Sequence, residues 1–418
     1  MSSPLDHIDV AALEADLAEL VRIPSLDGDP AEVDAQHFMA DRFVAAGFEV
    51  HTWDVDVPRL LADPQFPGQE VERTAGLGVV GRLRGTGGGR TLLINGHTDV
   101  VPIGDPALWT IDPFGGEFGD VHGERVLFGR GACDMKGGVI AGLVAMRALK
   151  DAGVALAGDV VMTPVFGEED GGFGTFATIR EEISADACII TEPTGLDIIP
   201  ANGGALTFKL SVPGLNAHAA FRSEGVSAIE KFAVLHQALI ELETERNANV
   251  AEVMQRWPIA YPLNIGTVSS GEWASTVPDQ LVANGRLGVA LGESNAAAKA
   301  ALEQRVAEVC AADSFLAEHP ATVEWWGGQF SSGQTPVDAE IVQTVRRVHG
   351  ADTGRELAIY GGPYGSDLRQ LVGVAGIPTL QYGPGHPAQA HAPDEFVSIN
   401  EIVQCARTLI ITAIQFCN

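Results

Sequence analysis

Positive charge is scarce in this sequence. Its 418 residues contain 26 lysines and arginines but 55 aspartates and glutamates, so its formal net charge is −29. Phosphate backbones and anionic headgroups repel a chain this acidic, and we therefore exclude nucleic acid and anionic membrane surfaces as partners. Cysteine is also scarce, and its five residues form no CxxC pair. This usage is typical of reduced thiols in a cytoplasmic protein.

Long hydrophobic runs are absent from the sequence as well. No stretch approaches the roughly 18 to 20 apolar residues that a membrane-spanning helix needs. The first residues contain no basic region before an apolar one, so we expect no signal peptide. Hydrophobic residues nevertheless make up 46% of the chain, which excludes wholesale disorder. This length and composition predict two or three globular domains.

Helical and strand-like patterns alternate in the first half of the chain. Residues 9–21 and 31–46 carry apolar residues at helical spacing, and short apolar runs such as RTLLINGH, DVVMTPVFGEE and ACIITEP predict buried strands. Each of these runs ends in polar residues. Alternating strands and helices predict an α/β layer fold, in which functional sites lie at the carboxyl ends of the strands.

The pattern changes near residue 204. From there to residue 330 the predicted elements follow the order βαββαβ, which is the split βαβ of ferredoxin-like domains. The α/β pattern then resumes. We therefore predict a main domain in two parts, 1–203 and 331–418, with an inserted domain at 204–330.

Five polar clusters follow strand-like runs. They are NGHTDVVP (95–102), GRGACDMKGG (129–138), FGEEDGG (166–172), ITEPT (190–194) and AHAPDEF (390–396). Together they supply His97, Asp99, Asp134, Glu168, Glu169, Glu192 and His391. Imidazole and carboxylate are the ligands that zinc and similar divalent ions take in proteins. Each cluster alone fits a turn, a helix N-terminus or a structural histidine. Five in one domain favour a metal site, because so many acids would repel one another without cations.

The motifs HTDVVP, GRGxxDMKGG, GEE, TEPT and the late GPG…HxPDE occur in a familiar order and spacing. The chain resembles, over essentially its whole length, the two-zinc aminoacylase and carboxypeptidase family of metallopeptidases, which includes acetylornithine deacetylase and succinyl-diaminopimelate desuccinylase. The resemblance implies an α/β catalytic domain of the two-zinc metallopeptidase type. It also implies that the inserted ferredoxin-like domain is a lid that forms the contact of a homodimer.

The resemblance implies two divalent metal ions, expected to be zinc, with cobalt as the alternative. His97 and Glu192 would bind one ion, and Glu169 and His391 would bind the other. Asp134 would bridge both ions, and a cis peptide bond would follow it. A bridging carboxylate agrees with the chemistry of two-metal sites, in which the ions lie roughly 3.5 to 4 Å apart and can share a water.

Three further residues take catalytic roles by the same resemblance. Glu168 would be the general base, and Asp99 would hold His97 through the second ring nitrogen, as metal-ligating histidines require. His218 of the inserted domain would reach the active site of the partner subunit and stabilise the oxyanion. The sequence alone fits a plain loop histidine at position 218 equally well.

Substrate contacts are less specific. Arg286 and Arg369 match positions where family members hold a substrate carboxylate, for which the planar guanidinium is suited. Arg286 could equally be a surface charge at a strand edge, and the GGPYGSD segment before Arg369 could be a glycine-rich loop preceding a helix. Ser275 stands where many relatives have asparagine, which weakens the transfer of a specific carboxylate pocket.

The expected function is hydrolysis of the amide bond of a small N-acylated amino acid or related N-acyl amine. A metallo-dipeptidase or aminopeptidase on the same scaffold is an alternative, although no residue announces recognition of a free amine. A non-catalytic metal-binding or metal-storage protein is a further alternative, against which the complete set of ligands and base argues. The expected partners are a small-molecule substrate and a second copy of the chain.

Overall fold

The computed structural model describes residues 3–418, which fall into two compact units. Unit 1 comprises the chain up to Ala201 together with Gln334–Tyr360 and Ser366–Asn418, and unit 2 comprises Asn202–Gly333 and Gly361–Gly365. The short segment Gly361–Gly365 groups with unit 2, which sequence analysis did not anticipate. The domain boundaries drawn at 203/204 and 330/331 stay a prediction.

Strands and helices alternate along the described residues. The strands are β1 (Glu49–Asp54), β2 (Leu77–Leu83), β3 (Leu92–His97), β4 (Glu117–Val121), β5 (Glu124–Phe128), β6 (Val160–Val165), β7 (Ala187–Ile190), β8 (Ala201–Asn202), β9 (Gly204–Pro213), β10 (Ala217–His218), β11 (Leu263–Ser270), β12 (Thr276–Val277), β13 (Gln280–Val289), β14 (Thr322–Phe330), β15 (Gly333–Gln334), β16 (Thr379–Gln381) and β17 (Phe396–Ser398). The helices are α1 (Val10–Val21), α2 (Ala31–Ala45), α3 (Val57–Leu61), α4 (Gly137–Asp151), α5 (Phe173–Arg180), α6 (Ala228–Arg246), α7 (Asn295–Ala312), α8 (Glu340–Thr353), α9 (Leu368–Gly373) and α10 (Ile399–Phe416).

A six-stranded sheet in the order β1-β2-β6-β3-β7-β16 forms the centre of unit 1. Strand β3 pairs in parallel with β6 and β7, and β16 extends the parallel part beside β7. Every residue of β3, β6 and β7 is buried, which explains their nearly continuous apolar sequences. Because these strands run in one direction, the polar residues that follow them meet at one edge of the sheet.

Helix α4 approaches this edge closely because its first two residues are glycines. A Cβ atom on Gly138 would lie 1.9 Å from the carbonyl oxygen of Thr191, which follows β7. Only glycine permits that approach. The rest of α4 is rich in small apolar residues, is buried on nearly every side, and packs against α10.

A smaller antiparallel sheet in the order β17-β5-β4 completes unit 1. In its register Phe128, the last residue of β5, lies opposite Phe396, the first residue of β17. The segment that leaves β5 and the segment that enters β17 are therefore neighbours. The first carries GRGACD and the second carries HAPDE, so this sheet brings two of the five predicted clusters together.

Unit 2 contains a four-stranded antiparallel sheet in the order β11-β13-β9-β14. With α6 and α7, its chain order is βαββαβ, and its apolar core joins β9, β13 and both helices. The mixed α/β fold with an inserted ferredoxin-like unit, predicted from the sequence, is confirmed. Across residues 3–418, every helix is too short or too polar to span a bilayer.

Candidate active site

The polar cluster of unit 1 is assembled from strand ends and two loops. His97 is the last residue of β3, Glu168 and Glu169 follow β6, and Glu192 follows β7. Asp134 lies in the turn Ala132–Lys136, and the Asp134–Met135 peptide bond is cis, as the resemblance implies. His391 comes from the loop before β17.

Asp134 lies between the two histidines. Its Oδ1 is 3.1 Å from Nε2 of His97, and its Oδ2 is 3.6 Å from Nε2 of His391. Nε2 of His97 also lies 3.9 Å from Oε2 of Glu192, and Nε2 of His391 lies 3.0 Å from Oε1 of Glu169. Each histidine therefore faces one oxygen of the shared aspartate and one glutamate of its own.

Burial and the neighbouring carboxylates shift the pKa values of this cluster. Burial, and then the charge of Asp134, raises the pKa of both Glu169 and Glu192. Burial opposes the protonated form of His97, but the surrounding carboxylates raise its pKa well above its usual range. Divalent cations would relieve the repulsion among these buried carboxylates, and their binding would displace protons from the ligands.

The donor set fits such cations. Ligand atoms of His97, Glu168 and Glu192 lie within 4.8 Å of one another, and so do those of His97, Asp134 and Glu169. Imidazole nitrogen with carboxylate oxygen is the combination that zinc and related ions accept. The chain therefore carries a candidate metal site that can hold two ions about one shared carboxylate.

Glu168 is buried beside the carboxylates of the predicted metal ligands. Its side chain is 7% exposed, and Oε1 has no hydrogen-bond partner among residues 3–418. Burial, and then the negative charges of Asp367 and Glu192, raises the pKa of Glu168 well above its usual range. A buried carboxyl group with an open oxygen and a raised pKa is suited to accepting and returning a proton.

Asp99 supports the site through both its backbone and its side chain. Nδ1 of His97 lies 3.1 Å from the carbonyl oxygen of Asp99, whereas the carboxylate oxygen Oδ1 is 3.8 Å away. The other carboxylate oxygen accepts a hydrogen bond from the amide of Glu169 at 3.1 Å. Orientation of the imidazole thus comes from the main chain, which differs from the predicted side-chain contact, because the carboxylate turns toward the Glu169 amide.

Arg369 contacts the backbone of two loops of unit 1. It is buried, with Nη1 donating to the carbonyl oxygen of Ser366 at 2.9 Å and Nη2 to that of Gly171 at 2.6 Å. Its contact with Gly171 supports the loop that carries Glu168 and Glu169. The expected contact of Arg369 with a substrate carboxylate stays a prediction.

The remaining predicted residues belong to unit 2. His218 and Ser275 are exposed, and β10 and β12 pair so that His218 lies opposite Thr276. Nδ1 of His218 accepts a hydrogen bond from the amide of Ala220 at 3.1 Å. Arg286 is exposed on β13, and its guanidinium lies 5.8 Å from the ring centre of Phe330.

Two buried arginine clusters near the site were missed from the sequence. Arg130 pairs with Glu395, whose other oxygen accepts the amide of Asp134 at 3.0 Å. Arg73 binds both oxygens of Asp170, the residue after Glu169, at 2.7 Å. Both arginines are almost fully buried, and the only sequence signal was that Arg130, Asp170 and Glu395 stand inside the quoted motifs.

The chain is similar to known proteins over most of its length. Residues 93–415 match the model of peptidase family M20/M25/M40. The chain belongs to this family. Its M20-type relatives include an N-formyl-4-amino-5-aminomethyl-2-methylpyrimidine deformylase of Halalkalibacterium halodurans, 29% identical over 92% of this chain and 89% of the relative. They also include a succinyl-diaminopimelate desuccinylase of Paracoccus denitrificans, 29% identical over 93% of this chain and 94% of the relative.

A solved M20 structure shares the fold. The metallo-carboxypeptidase Sso-CP2 of Sulfolobus solfataricus superposes with a TM-score of 0.77 at 16% identity, over 97% of this chain and 99% of the other. The predicted family resemblance is confirmed. The M20 chain described here is a metal-dependent hydrolase that cleaves linear amide bonds, as the sequence predicted.

Proposed function

We propose that this protein hydrolyses the amide bond of a small N-acyl amine or N-acylated amino acid, using two divalent ions, with zinc expected and cobalt as an alternative. One observation carries the proposal. Asp134 directs one carboxylate oxygen toward each of two histidines, while the unengaged oxygen of Glu168 lies in the same cluster. This arrangement suits a shared water and a separate proton acceptor.

The chain's own residues divide the work of the reaction. His97, Glu192 and Asp134 would hold one ion, and His391, Glu169 and Asp134 the other. When bound, the ions supply Lewis-acid polarisation of the substrate carbonyl and lower the pKa of a water.

Glu168 would act first as the general base and then as the general acid. It would take a proton from the attacking water as the oxygen–carbon bond forms. It would then deliver that proton to the amine nitrogen as the carbon–nitrogen bond breaks. The raised pKa of Glu168 favours uptake of the proton from water and keeps the carboxyl group protonated until the amine nitrogen accepts it.

We propose that His218 supplies a neutral hydrogen-bond donor to the oxyanion. Because Nδ1 accepts the Ala220 amide, the neutral ring carries its proton on Nε2, which leaves Nε2 as a donor on an exposed side chain. By family resemblance, this donor would serve the site of a partner subunit.

A homodimer through unit 2 is part of the proposal. Strand β11 lies at the edge of its sheet and therefore offers backbone groups to a second copy. Apolar side chains on the same unit are exposed, among them Ile229, Val234 and Val268. An exposed edge strand beside exposed apolar residues is typical of an interaction surface.

The names of the relatives and two exposed aromatic residues of unit 2 indicate which substrates to test first. The two relatives above are named for removing formyl and succinyl groups. On unit 2, Phe221 and Trp273 are 60% and 74% exposed. Phe221 lies shortly after β10, which carries His218, and Trp273 lies shortly before β12, the strand that pairs with β10. Exposed aromatic rings favour contact with a planar group, so we place N-formyl aminomethylpyrimidines among the first substrates to test.

We infer a cytoplasmic location from the thiols. All five cysteines are buried and unpaired, as expected for a reducing compartment. Fractionation of cells that express the protein from its own promoter would test this inference. Recovery in a secreted or periplasmic fraction would contradict it.

A substrate panel tests the proposed activity. The protein, stripped of metal and reloaded with zinc or cobalt, would be assayed on N-formyl, N-acetyl and N-succinyl amines and amino acids and on dipeptides with a free amine. We expect chelator-sensitive hydrolysis of at least one N-acyl compound, with Glu168→Gln as the inactive control. Turnover of dipeptides alone would favour the peptidase alternative, and no turnover of any amide would refute the proposal.

A further inference from the structure

The loop that carries Asp134 and the loop that carries His391 share a buried ion pair. Arg130 is 2% exposed and Glu395 is fully buried, and Nη1 of Arg130 donates to Oε2 of Glu395. The ring centre of Trp109 lies 5.2 Å from the guanidinium carbon of Arg130, so the indole shields the pair on that side. Desolvation offsets much of the attraction within a buried ion pair, so this pair need not stabilise the fold. Its other contacts indicate a second role.

Glu395 holds the backbone of the bridging aspartate. Its Oε1 accepts hydrogen bonds from the amides of Cys133 at 2.9 Å and Asp134 at 3.0 Å. A carboxylate that binds two successive amides fixes the position of that peptide segment. The carboxylate of Asp134 projects from this segment toward both histidines.

Arg130 holds the segment that carries His391. Nη2 donates to the carbonyl oxygen of His391 at 3.2 Å, and Nη1 donates to that of Ala392 at 3.3 Å. His391 has a φ of +61°, in the left-handed region that non-glycine residues rarely adopt. The carbonyl contact supports this conformation, as does Asp394, whose carboxylate accepts bonds from the amide and hydroxyl of Thr110 at 2.8 and 2.7 Å.

We propose that Arg130 and Glu395 are positioning residues for the metal site. Together they form a clamp that sets the spacing between Asp134 and His391, and hence the affinity for the ion bound by His391 and Glu169. The inference rests on the proposed function, which assigns those ligands. Partners outside the ligand shell commonly change metal affinity by 10- to 100-fold when mutated.

The decisive variant is Arg130→Lys. Lysine keeps a buried cation opposite Glu395, which limits the damage to the fold. One ammonium group, however, cannot reach the carboxylate of Glu395 and the carbonyl oxygens of His391 and Ala392 together. Arg407→Lys is the matched control, because Arg407 binds Asp352 through Nε and Nη2 between α10 and α8, away from the site. Binding of Zn²⁺ and Co²⁺ to metal-free protein would be measured by competition with a chromophoric chelator.

We expect Arg130→Lys to bind at least one ion 10- to 100-fold more weakly, with an altered Co²⁺ absorption spectrum and with kcat recovering in excess metal. Arg407→Lys should bind both ions like the wild type. Wild-type affinities in folded Arg130→Lys, or an equal loss in Arg407→Lys, would overturn the inference. Should Arg130→Lys not fold, Glu395→Gln takes its place, because its amide oxygen can still accept the Cys133 and Asp134 amides while its amide nitrogen cannot pair with Arg130. Wild-type metal affinity in that variant overturns the clamp. A wild-type protein that binds no divalent ion would overturn the clamp and the proposed function together.

Discussion

Glu168→Gln separates proton transfer from metal binding more cleanly than any other single change. Glutamine has the same shape, so the packing around a side chain that is 7% exposed is kept. The amide cannot accept a proton from water, and loss of a general base typically lowers the rate by about 10² to 10⁴-fold. That factor corresponds to about 3 to 5 kcal/mol of activation free energy. We therefore expect kcat to fall by this amount while both ions stay bound.

The same substitution has a predictable effect on stability. Burial and the charges of Asp367 and Glu192 raise the pKa of Glu168, so the ionised carboxylate is unfavourable in the folded protein. Glutamine removes that charge, and the urea midpoint of the metal-free protein should stay the same or increase. A drop in activity without a drop in stability excludes misfolding as its cause.

Glu169→Gln is the matched control for this experiment. It is the neighbouring residue and the same chemical change, but Glu169 faces His391 at 3.0 Å, so its loss should appear first in metal affinity. Activity and metal content by elemental analysis would be measured for both variants on the best substrate of the panel. A Glu168→Gln variant with nearly wild-type kcat would refute the role of Glu168 as the base.

Three further predictions address other parts of the molecule. Asp134→Ala should lose much of its metal, because Glu169 and Glu192 would then face each other without a bridge, and two tightly bound ions by elemental analysis would contradict this. His218→Ala should lower kcat by roughly 10² to 10³-fold with both ions retained, and mixing it with Glu168→Gln subunits should restore activity; no recovery after proven subunit exchange would mean that His218 does not act across a dimer. Burial lowers the pKa of His349 below 6.5, so the unfolded state takes up a proton first and the free energy of unfolding should fall below about pH 6.5, by at most ~1.4 kcal/mol per pH unit. Urea unfolding of His349→Gln between pH 7 and 5 should show a shallower fall than the wild type, and an identical pH dependence would exclude this contribution.

Much of the fold could be predicted because its signals are local. The uninterrupted apolar runs of β3, β6 and β7 indicate buried parallel strands, and the βαββαβ order of unit 2 follows from periodicity. The polar residues directly after those strands had to share an edge of the sheet. For that reason His97, Glu168, Glu169 and Glu192 could be grouped from the sequence alone.

The contacts that the sequence concealed are long-range ones. Arg130 and Glu395 are separated by 265 positions, and neither residue type signals burial, since both are usually exposed. The short strands β4, β5 and β17 were not predicted, because they mix polar and apolar residues. The buried carbonyl contacts of Arg369 were not predicted, because a guanidinium suits a substrate carboxylate and a pair of backbone carbonyls equally well, and only burial distinguishes them.

The two sheets of unit 1 contribute to the site in different ways. His97 and Glu192 belong to strand ends of the central sheet, whereas His391 depends on a loop that the small sheet and the Arg130–Glu395 pair hold in place. Strand ends in a buried parallel sheet are held by many neighbours, while a loop with a left-handed residue is held by a few hydrogen bonds. Changes in the small sheet should therefore weaken the His391 ion before the His97 ion. A Ser398→Ala variant, which removes the Oγ bond to Glu124 across β17 and β5, should shift metal binding in that order, and simultaneous loss of both ions would show that the two halves of the site form one cooperative unit.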